Sequence, residues 1–283
     1  QRWTAWGAGF GSFTSTKGDA GVGTHDLTTS TYGFAAGMDY TDIPGARIGF
    51  ALSGGGDQWQ ITQQNLGKGT DFNFQGGIYG KAYYGPTYLG LALSVANNWM
   101  KTSRTVAMTG EQLSASFNAQ TFGARAEAGY DVLYQDLTFT PFAAGQILAF
   151  RLPSYSETDA AGGGFGLNYT GKTETDLSSQ VGVRVSGTGF VGEMPLIWRL
   201  RAAFEHDWVN NAGLTATFQA GLPAGVNAGF VVNGAVLPQN LGVVSAGADL
   251  YLTRTVSLSA KFDAAIAQSA QTYGGNLTLR QQW

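Results

Sequence analysis

The chain has no cysteine among its 283 residues, which excludes a disulfide framework, a thiol nucleophile and a cysteine-ligated metal. Such a composition suits an oxidising, periplasmic route. Charge is also scarce. Asp, Glu, Lys and Arg make up 12% of the residues, against roughly a quarter in soluble domains. Long apolar runs are missing as well: none approaches the ~20 residues a spanning helix needs, and the mean hydropathy is -0.06. A helical membrane protein is thereby excluded. A net charge of -3 leaves no basic footprint for nucleic acid. Gln1-Arg2-Trp3 lacks the charged start and apolar stretch of a signal peptide, so the sequence reads as a mature protein or an excised domain. What the chain has in quantity is 42 glycines and 13% aromatics. That combination fits a transmembrane β-barrel, with a secreted β-sandwich as the alternative.

The pattern of the charges points the same way. Between Ile197 and Trp208 one parity holds Arg199, Arg201, Glu205 and Asp207, and the other holds Trp198, Leu200, Phe204, His206 and Trp208. A period of two places alternate side chains on opposite faces of a strand. An apolar exterior with a polar interior is the arrangement of a barrel in lipid.

The pattern recurs in twelve strand candidates: 2–13, 30–41, 47–58, 70–84, 87–102, 114–133, 137–152, 173–186, 196–209, 241–252, 256–267 and 272–283. No linker separates them, so one domain over 1–283 is expected. Short turns at Asp42-Ile43-Pro44-Gly45, Gly85-Pro86, Tyr134-Gln135-Asp136, Gly187 to Pro195 and Thr253-Arg254-Thr255 alternate with generally longer connections at 14–29, 59–69, 103–113, 153–172 and 210–240, and a short one at 268–271. Outer-membrane barrels have short periplasmic turns and longer outer loops. An even strand count then puts both termini on the periplasmic side. The expected fold is therefore an all-β, 12-stranded antiparallel up-and-down transmembrane barrel.

Parity assigns Asp39, Arg47, Lys81, Arg125, Glu127, Asp131, Arg184, Arg199, Arg201, Glu205, Asp207, Asp249, Lys261, Asp263 and Arg280 to the lumen. An Arg or Lys at mid-depth on the lipid face would cost roughly 2–4 kcal/mol, which is why the parity is strict. Strand seven mixes parities, since Phe139, Phe142, Ile147, Leu148 and Phe150 fall on both, and Pro141 suggests a bulge or kink there. Tyr40, Tyr84, Trp99, Trp198, Trp208 and Trp283 lie near strand ends and are candidates for interfacial girdles. His206 has the outward parity and is tolerable only near a rim.

Little in the sequence speaks for catalysis. Gly187-Thr188-Gly189-Phe190-Val191-Gly192 has G-x-G-x-x-G spacing, but a strand follows where a dinucleotide site needs a helix, so a turn is expected. Gly162 to Gly166 lies in a long loop and reads as flexibility. His25 and His206 are the two histidines, too few for the Asp and His cluster of an enzymatic barrel. Lumenal Asp39, Glu127 and Asp131 could tune a neighbouring Asn or water for backbone cleavage; charge pairing in a wet lumen is the plainer reading. No catalytic residue, metal or cofactor is assigned.

Several segments resemble a known family. Trp198-Arg199-Leu200-Arg201-Ala202-Ala203-Phe204-Glu205-His206-Asp207 resembles the "L-R-x-A-Y-E-H-E/D" strand of autotransporter β-domains. Phe230 to Pro238 resembles their "F-x-V-x-G-A-P-L-P" segment, and Val244 to Leu250 and Val256 to Asp263 resemble "V-G-A-G-L" and "L-S-L-x-L-x-Y-D/E". Trp3 to Gly11 resembles the opening "W-A-x-G-F-G". The resemblance implies a barrel that anchors an N-terminal passenger in the Gram-negative outer membrane and carries it to the surface. It implies an upstream helix in the pore, which with the passenger is missing from a chain that begins almost on strand one. It also implies a terminal strand read by the outer-membrane assembly machinery, carried here by Tyr273, Leu277, Leu279 and Trp283, with Gln281 departing from the family's apolar pattern. Expected partners are outer-membrane lipid, the passenger, the upstream helix and the assembly machinery; a monomer is expected. A mixed-charge lumen would let a chain slide, and the 210–240 connection, with apolar Phe218, Leu222, Phe230 and Val231, is a candidate outer hairpin that aids passenger folding. A small-solute pore is the alternative function.

Overall fold

Period-two alternation produces one long antiparallel sheet. The computed structural model describes residues 2–19, 21, 23–41, 45–62, 67–209, 213–220, 229–233 and 238–283. Twelve long strands follow one another: β1 Trp3–Thr16, β2 Leu27–Tyr40, β3 Ala46–Ile61, β4 Gly67–Tyr84, β5 Thr87–Thr105, β6 Gln112–Tyr130, β7 Leu137–Leu152, β8 Lys172–Val191, β9 Met194–Asp207, β10 Asn240–Tyr251, β11 Val256–Ile266 and β12 Ala270–Gln282. Each pairs with its neighbours in sequence, and β1 pairs with β12, so the sheet closes on itself. Closure removes the free edges an open sheet would present to its surroundings. No helix occurs among the described residues.

Every pairing holds a single register from end to end. In β4–β5, for example, the partners run from Gly67↔Arg104 to Tyr84↔Thr87 with no residue inserted. An inserted residue would switch every later side chain to the other face. The constant register is why a parity read at one end of a strand still holds at the other. It also corrects the expectation at Pro141. Register continues from Gly129↔Phe142 to Val132↔Phe139, so nothing bulges. The ladder between β6 and β7 is instead interrupted opposite Pro141, which has no N–H to give. Phe142 then faces inward, 4% exposed, and Ile147 outward, 44% exposed.

The glycines have a packing role in this sheet. On the inner face, the rings of Trp6, Tyr79 and Tyr88 lie over their cross-strand partners Gly37, Gly49 and Gly129, where an added Cβ would meet ring atoms at 2.5–2.7 Å. Trp198 covers Gly187 in the same way on the outer face. A large ring on one strand thus fills the space left by a glycine on the next.

The two ends of the barrel differ. One carries both termini and the tight turns; the other carries the long connections. The strands reach further toward the long connections than expected: β1 runs to Thr16, β4 starts at Gly67 and β5 ends at Thr105. The stretch Gly187 to Pro195 is also not a turn. β8 continues to Val191, Val191 pairs with Met194, and the reversal is Gly192-Glu193, with Gly192 at φ 61°. Of the turn expected at Asp42-Ile43-Pro44-Gly45, the first three residues lie outside the described residues.

The outer surface is apolar. Phe34, Tyr84 and Val181 are 78%, 74% and 66% exposed on it. A contiguous apolar exterior of this extent marks a surface that meets lipid or protein. Of the candidate girdle residues, Tyr84, Trp99, Trp208 and Trp283 are exposed, while Tyr40 and Trp198 are half-buried.

Candidate functional site

The interior of the barrel gathers the charged residues into three networks. The central one joins β4 through β9. Tyr88, at the start of β5, is 1% exposed. Its hydroxyl donates to Glu127 Oε1 at 2.9 Å and accepts from Arg184 Nη1 at 2.5 Å. Arg184 Nη2 lies 2.5 Å from the same Glu127 oxygen, and Arg125 Nη2 lies 3.1 Å from the other. Arg125 also donates to Gln180 Oε1 at 2.9 Å, as does Arg201, and Gln180 Nε2 donates to Glu205. The guanidinium carbons of Arg184 and Arg201 sit 4.4 and 4.9 Å from the centre of the Phe142 ring. Lys81 Nζ stands 3.7 Å over the Tyr88 ring. Bonds between strands that are not sheet neighbours require side chains pointing into a common interior.

The second network lies across β1 to β4. Trp6 Nε1 donates to the Tyr79 hydroxyl at 2.9 Å, Tyr79 donates to Asp39, and Arg47 is 3.9 Å from Asp39. The third covers β9 to β12. Arg199 pairs with Asp249, Arg280 lies 3.6 Å from that carboxylate, and Lys261 lies 2.6 Å from Asp263. Nearer the rims, Asp131 accepts from Thr140 Oγ1 at 2.6 Å, and the backbone N–H of Asp207 donates to the Gln239 carbonyl at 2.8 Å.

One stretch of the inner wall is smooth. Ala35, Ala51, Ser53, Gly77, Ala92 and Ser94 of β2 to β5 line a hollow of about 390 Å3, bordered by Gln75, Tyr79, Arg125 and Gln146. A second hollow of about 530 Å3 lies against Trp6, Asp39, Arg47, Tyr79, Lys261 and Arg280. The inner surface therefore sets a patch of small residues among the charged networks.

Sequence reasoning left out several members of this interior. Asp57 and Asp71 share the parity of Arg47 and Lys81, and Glu174 and Asp176 that of Arg184; the alternation already carried them. Trp6, Tyr79, Tyr88 and Phe142 were missed because an inward aromatic looks, in sequence, like an outward one. Their signal is a glycine at the paired position of the next strand, visible only once register is known.

At the long-connection end a second, four-stranded sheet forms from residues 155–156, 167–169, 213–218 and 229–233. Arg104, at the end of β5, anchors it through two 2.7 Å bonds to Glu157 and one of 2.9 Å to the Phe165 carbonyl. Tyr155 stacks between Phe117 of β6 and Tyr169, at 4.0 and 4.6 Å. Burial pushes the Tyr169 phenol up to about 12 and the Tyr155 phenol higher still. The glycine run at 162–166 is not slack, contrary to expectation. Gly162 and Gly164 donate their N–H groups to Asp159 at 2.8 and 2.9 Å, both at positive φ. The Glu111 carboxyl, hydrogen-bonded to Asp159, is raised by that bond and by burial, while the bond holds Asp159 down. Within the 210–240 connection, the hairpin 213–218/229–233 sets Phe218 5.3 Å from Phe230; Leu222 lies outside the described residues.

The family model of the autotransporter β-domain matches residues 5–263. The chain belongs to the autotransporter β-domain family. It is an outer-membrane translocator, a barrel integral to that membrane that serves the secretion of a passenger. Solved structures agree on the fold. The translocator domain of autotransporter NalP from Neisseria meningitidis superposes with a TM-score of 0.80 at 14% identity, covering 100% of this chain and 89% of that one. The β-domain of the Bordetella autotransporter BrkA gives 0.67 at 14% identity, covering 100% of both chains. The transport unit of AIDA-I from Escherichia coli gives 0.64 at 15% identity, covering 99% and 90%. No curated protein matches the chain. Among the described residues of the β-domain, no group of three or more His, Cys, Asp or Glu side chains is placed to hold a metal.

Proposed function

We propose that the fifteen charged positions named above line a conduit, and that the β-domain acts by passage and anchoring without catalytic turnover. The observation that carries this is the small-residue patch among the charged networks. The patch leaves room for a segment, and the mixed charges around it give that segment weak, exchangeable partners. A helix is about 10–12 Å across with its side chains, and a twelve-stranded barrel falls between the filled eight-stranded and the open sixteen-stranded kinds. In this reading the long-connection end faces the cell exterior and both termini face the periplasm. The whole chain forms one domain, works as a monomer, and uses Tyr273, Leu277, Leu279 and Trp283 as its assembly signal. An upstream helix occupies the interior, and the 213–218/229–233 hairpin assists passenger folding outside.

The test is surface display in a Gram-negative host of a tagged passenger joined through its upstream segment. Wild-type β-domain should render the tag sensitive to external protease. Ala51→Trp with Ala92→Trp, which fills the smooth wall, should abolish display while the barrel still assembles. Normal display from the filled barrel would overturn the conduit, and normal display after deletion of 212–238 would overturn the role of the hairpin.

A further inference from the structure

Charge on the outer face of the barrel is distributed with one sign and at one end. Among the described strand residues, the outward parity carries Lys68, Lys101 and Arg151 and no Asp or Glu. All three lie within the last few residues of β4, β5 and β7 at the long-connection end, and all three are exposed. The inner face, by contrast, mixes both signs along its whole length.

Two of these cations share a built surface. Lys68 pairs with Ser103 and Lys101 with Thr70, so the two lysines are diagonal neighbours on adjacent strands. Such neighbours have Cα atoms about 7–8 Å apart. They border a groove of about 460 Å3 whose lining includes the side chains of Gln58, Gln60, Thr70 and Ser103. Neither lysine has an acidic partner among the described residues. Two residue pairs closer to mid-barrel, Phe72 and Trp99 face each other with ring centres 5.8 Å apart, 59% and 44% exposed on the same outer face. Phe13 of β1 closes the groove on its other side.

The order along the barrel wall is therefore apolar surface, aromatic pair, then two ammonium groups, without an acidic partner among the described residues, amid hydroxyls and amides. Two residues of strand span about 7 Å, so Lys101 stands one headgroup's depth beyond Trp99. Interfacial aromatics mark the boundary of the hydrocarbon, and lysines just beyond it attract anionic headgroups while their stems stay on apolar surface. A soluble acidic protein would not need the aromatic floor, and a zwitterionic lipid would not call for two unpaired cations.

We propose that the outer face of β3 to β5 binds a phosphate-bearing lipid of the leaflet at the long-connection end. The phosphate lies between Lys68 and Lys101, Gln58, Gln60, Thr70 and Ser103 serve its neighbouring hydroxyls, and an acyl chain lies along Phe72 and Phe13. The proposal rests on the membrane reading of the barrel.

The test uses the purified chain in detergent micelles, with lipid adducts read by native mass spectrometry. The probes are a bisphosphorylated lipid A preparation, the same lipid freed of phosphate, and inorganic phosphate as competitor. Wild type should retain the phosphorylated lipid and not its dephosphorylated form, and inorganic phosphate should not displace it. Lys68→Gln with Lys101→Gln should weaken retention by about tenfold or more; the double Lys→Arg variant should keep it, and Arg254→Gln, in a turn at the other end, should leave it unchanged. Equal retention by the glutamine variant, equal binding of the dephosphorylated lipid, or displacement by inorganic phosphate would each overturn the proposal. If the glutamine variant fails to fold, the discrimination shown by wild type still decides. A wild-type chain that does not enter micelles at all would overturn the membrane reading, and with it this proposal.

Discussion

Arg184 of β8 reaches Tyr88 of β5 across the interior of the barrel, Nη1 to hydroxyl at 2.5 Å, with two strands between them in the sheet. The same guanidinium engages Glu127 on one of those strands. Backbone ladders fix each strand to its neighbours; this contact ties the wall across a chord. Arg184 and Glu127 side chains are 26% and 16% exposed, so water screens the pair only in part.

Arg184→Met is expected to destabilise the barrel by about 2 kcal/mol, because it takes a charged donor from Glu127 and from the Tyr88 hydroxyl in a partly buried site, leaving Glu127 with Arg125 and Tyr88 alone. Urea unfolding of detergent-refolded protein should show a lower midpoint at unchanged slope. A cycle with Tyr88→Phe should reveal coupling, since residues in one hydrogen-bond network are not additive. An unchanged midpoint would mean the chord contributes nothing.

The aromatic-on-glycine pairs predict opposite results for two glycine substitutions. A Cβ at Gly129 would lie 2.5 Å from the Tyr88 ring, whereas one at Gly145 would meet nothing within 4 Å. Gly129→Val should displace the ring and with it the Tyr88–Glu127 bond, costing about 1–3 kcal/mol as an overpacked site. Gly145→Ala should be neutral or slightly stabilising, since it only restricts the unfolded chain. The proportion of heat-modifiable, folded barrel on a gel separates the two. Equal behaviour would sink the packing role assigned to these glycines.

The loop carboxyl pair predicts a pH dependence. Glu111, 8% exposed, has its pKa raised first by its bond to Asp159, and Asp159 is held low by that bond and by the N–H groups of Gly164 and Gly162. A raised carboxyl contributes stability that is present below its ordinary value of 4.5 and is lost as pH rises through its folded value. A depressed carboxyl contributes stability that is present above its ordinary value of 3.8 and is lost as pH falls through its folded value. The loop is thus held best in the window between the two folded values, and loosens above it as Glu111 ionises beside an Asp159 that is already charged. Amide exchange at Gly162 and Gly164, corrected for intrinsic rate, should lose protection as pH rises past that window. Glu111→Gln, which keeps a donor that cannot ionise, should flatten the loss.

How far the sequence discloses the molecule follows from what alternation can encode. Strand number and closure were legible because lipid penalises a misplaced charge and the register never slips. Strand ends at the long-connection end were not. Beyond the apolar band, Thr14 to Thr16 or Lys68 to Thr70 have no apolar face to alternate with, and the ladder continues only because a neighbouring strand supplies its hydrogen bonds. The reversal at Gly192-Glu193 was misplaced for a related reason: Gly187 and Gly189 look like turn residues until Trp198 is seen lying over Gly187. The Arg104–Glu157 anchor was invisible because its partners are 53 residues apart and share no period.

The seam between β1 and β12 gives the last prediction. Trp283 binds the first strand by backbone alone: its carbonyl accepts from Arg2 and Trp3 at 3.0 and 3.3 Å, and its N–H donates to the Trp3 carbonyl at 3.1 Å. The ring itself is 53% exposed on the outer face, in line with exposed Leu279, Leu277 and Tyr273. In the proposed assembly role, closure and recognition fall to different atoms of the same residue. Trp283→Ala keeps the backbone bonds and removes the ring, so refolding in detergent should proceed with a midpoint close to wild type. Assembly in cells should fall severalfold if the ring belongs to a signal that another protein reads. Removing residue 283 altogether deletes the three seam bonds and should lower the refolded barrel's stability as well. Normal assembly of Trp283→Ala in cells would show that the ring serves only the membrane interface, and would leave Tyr273, Leu277 and Leu279 as ordinary lipid-facing residues.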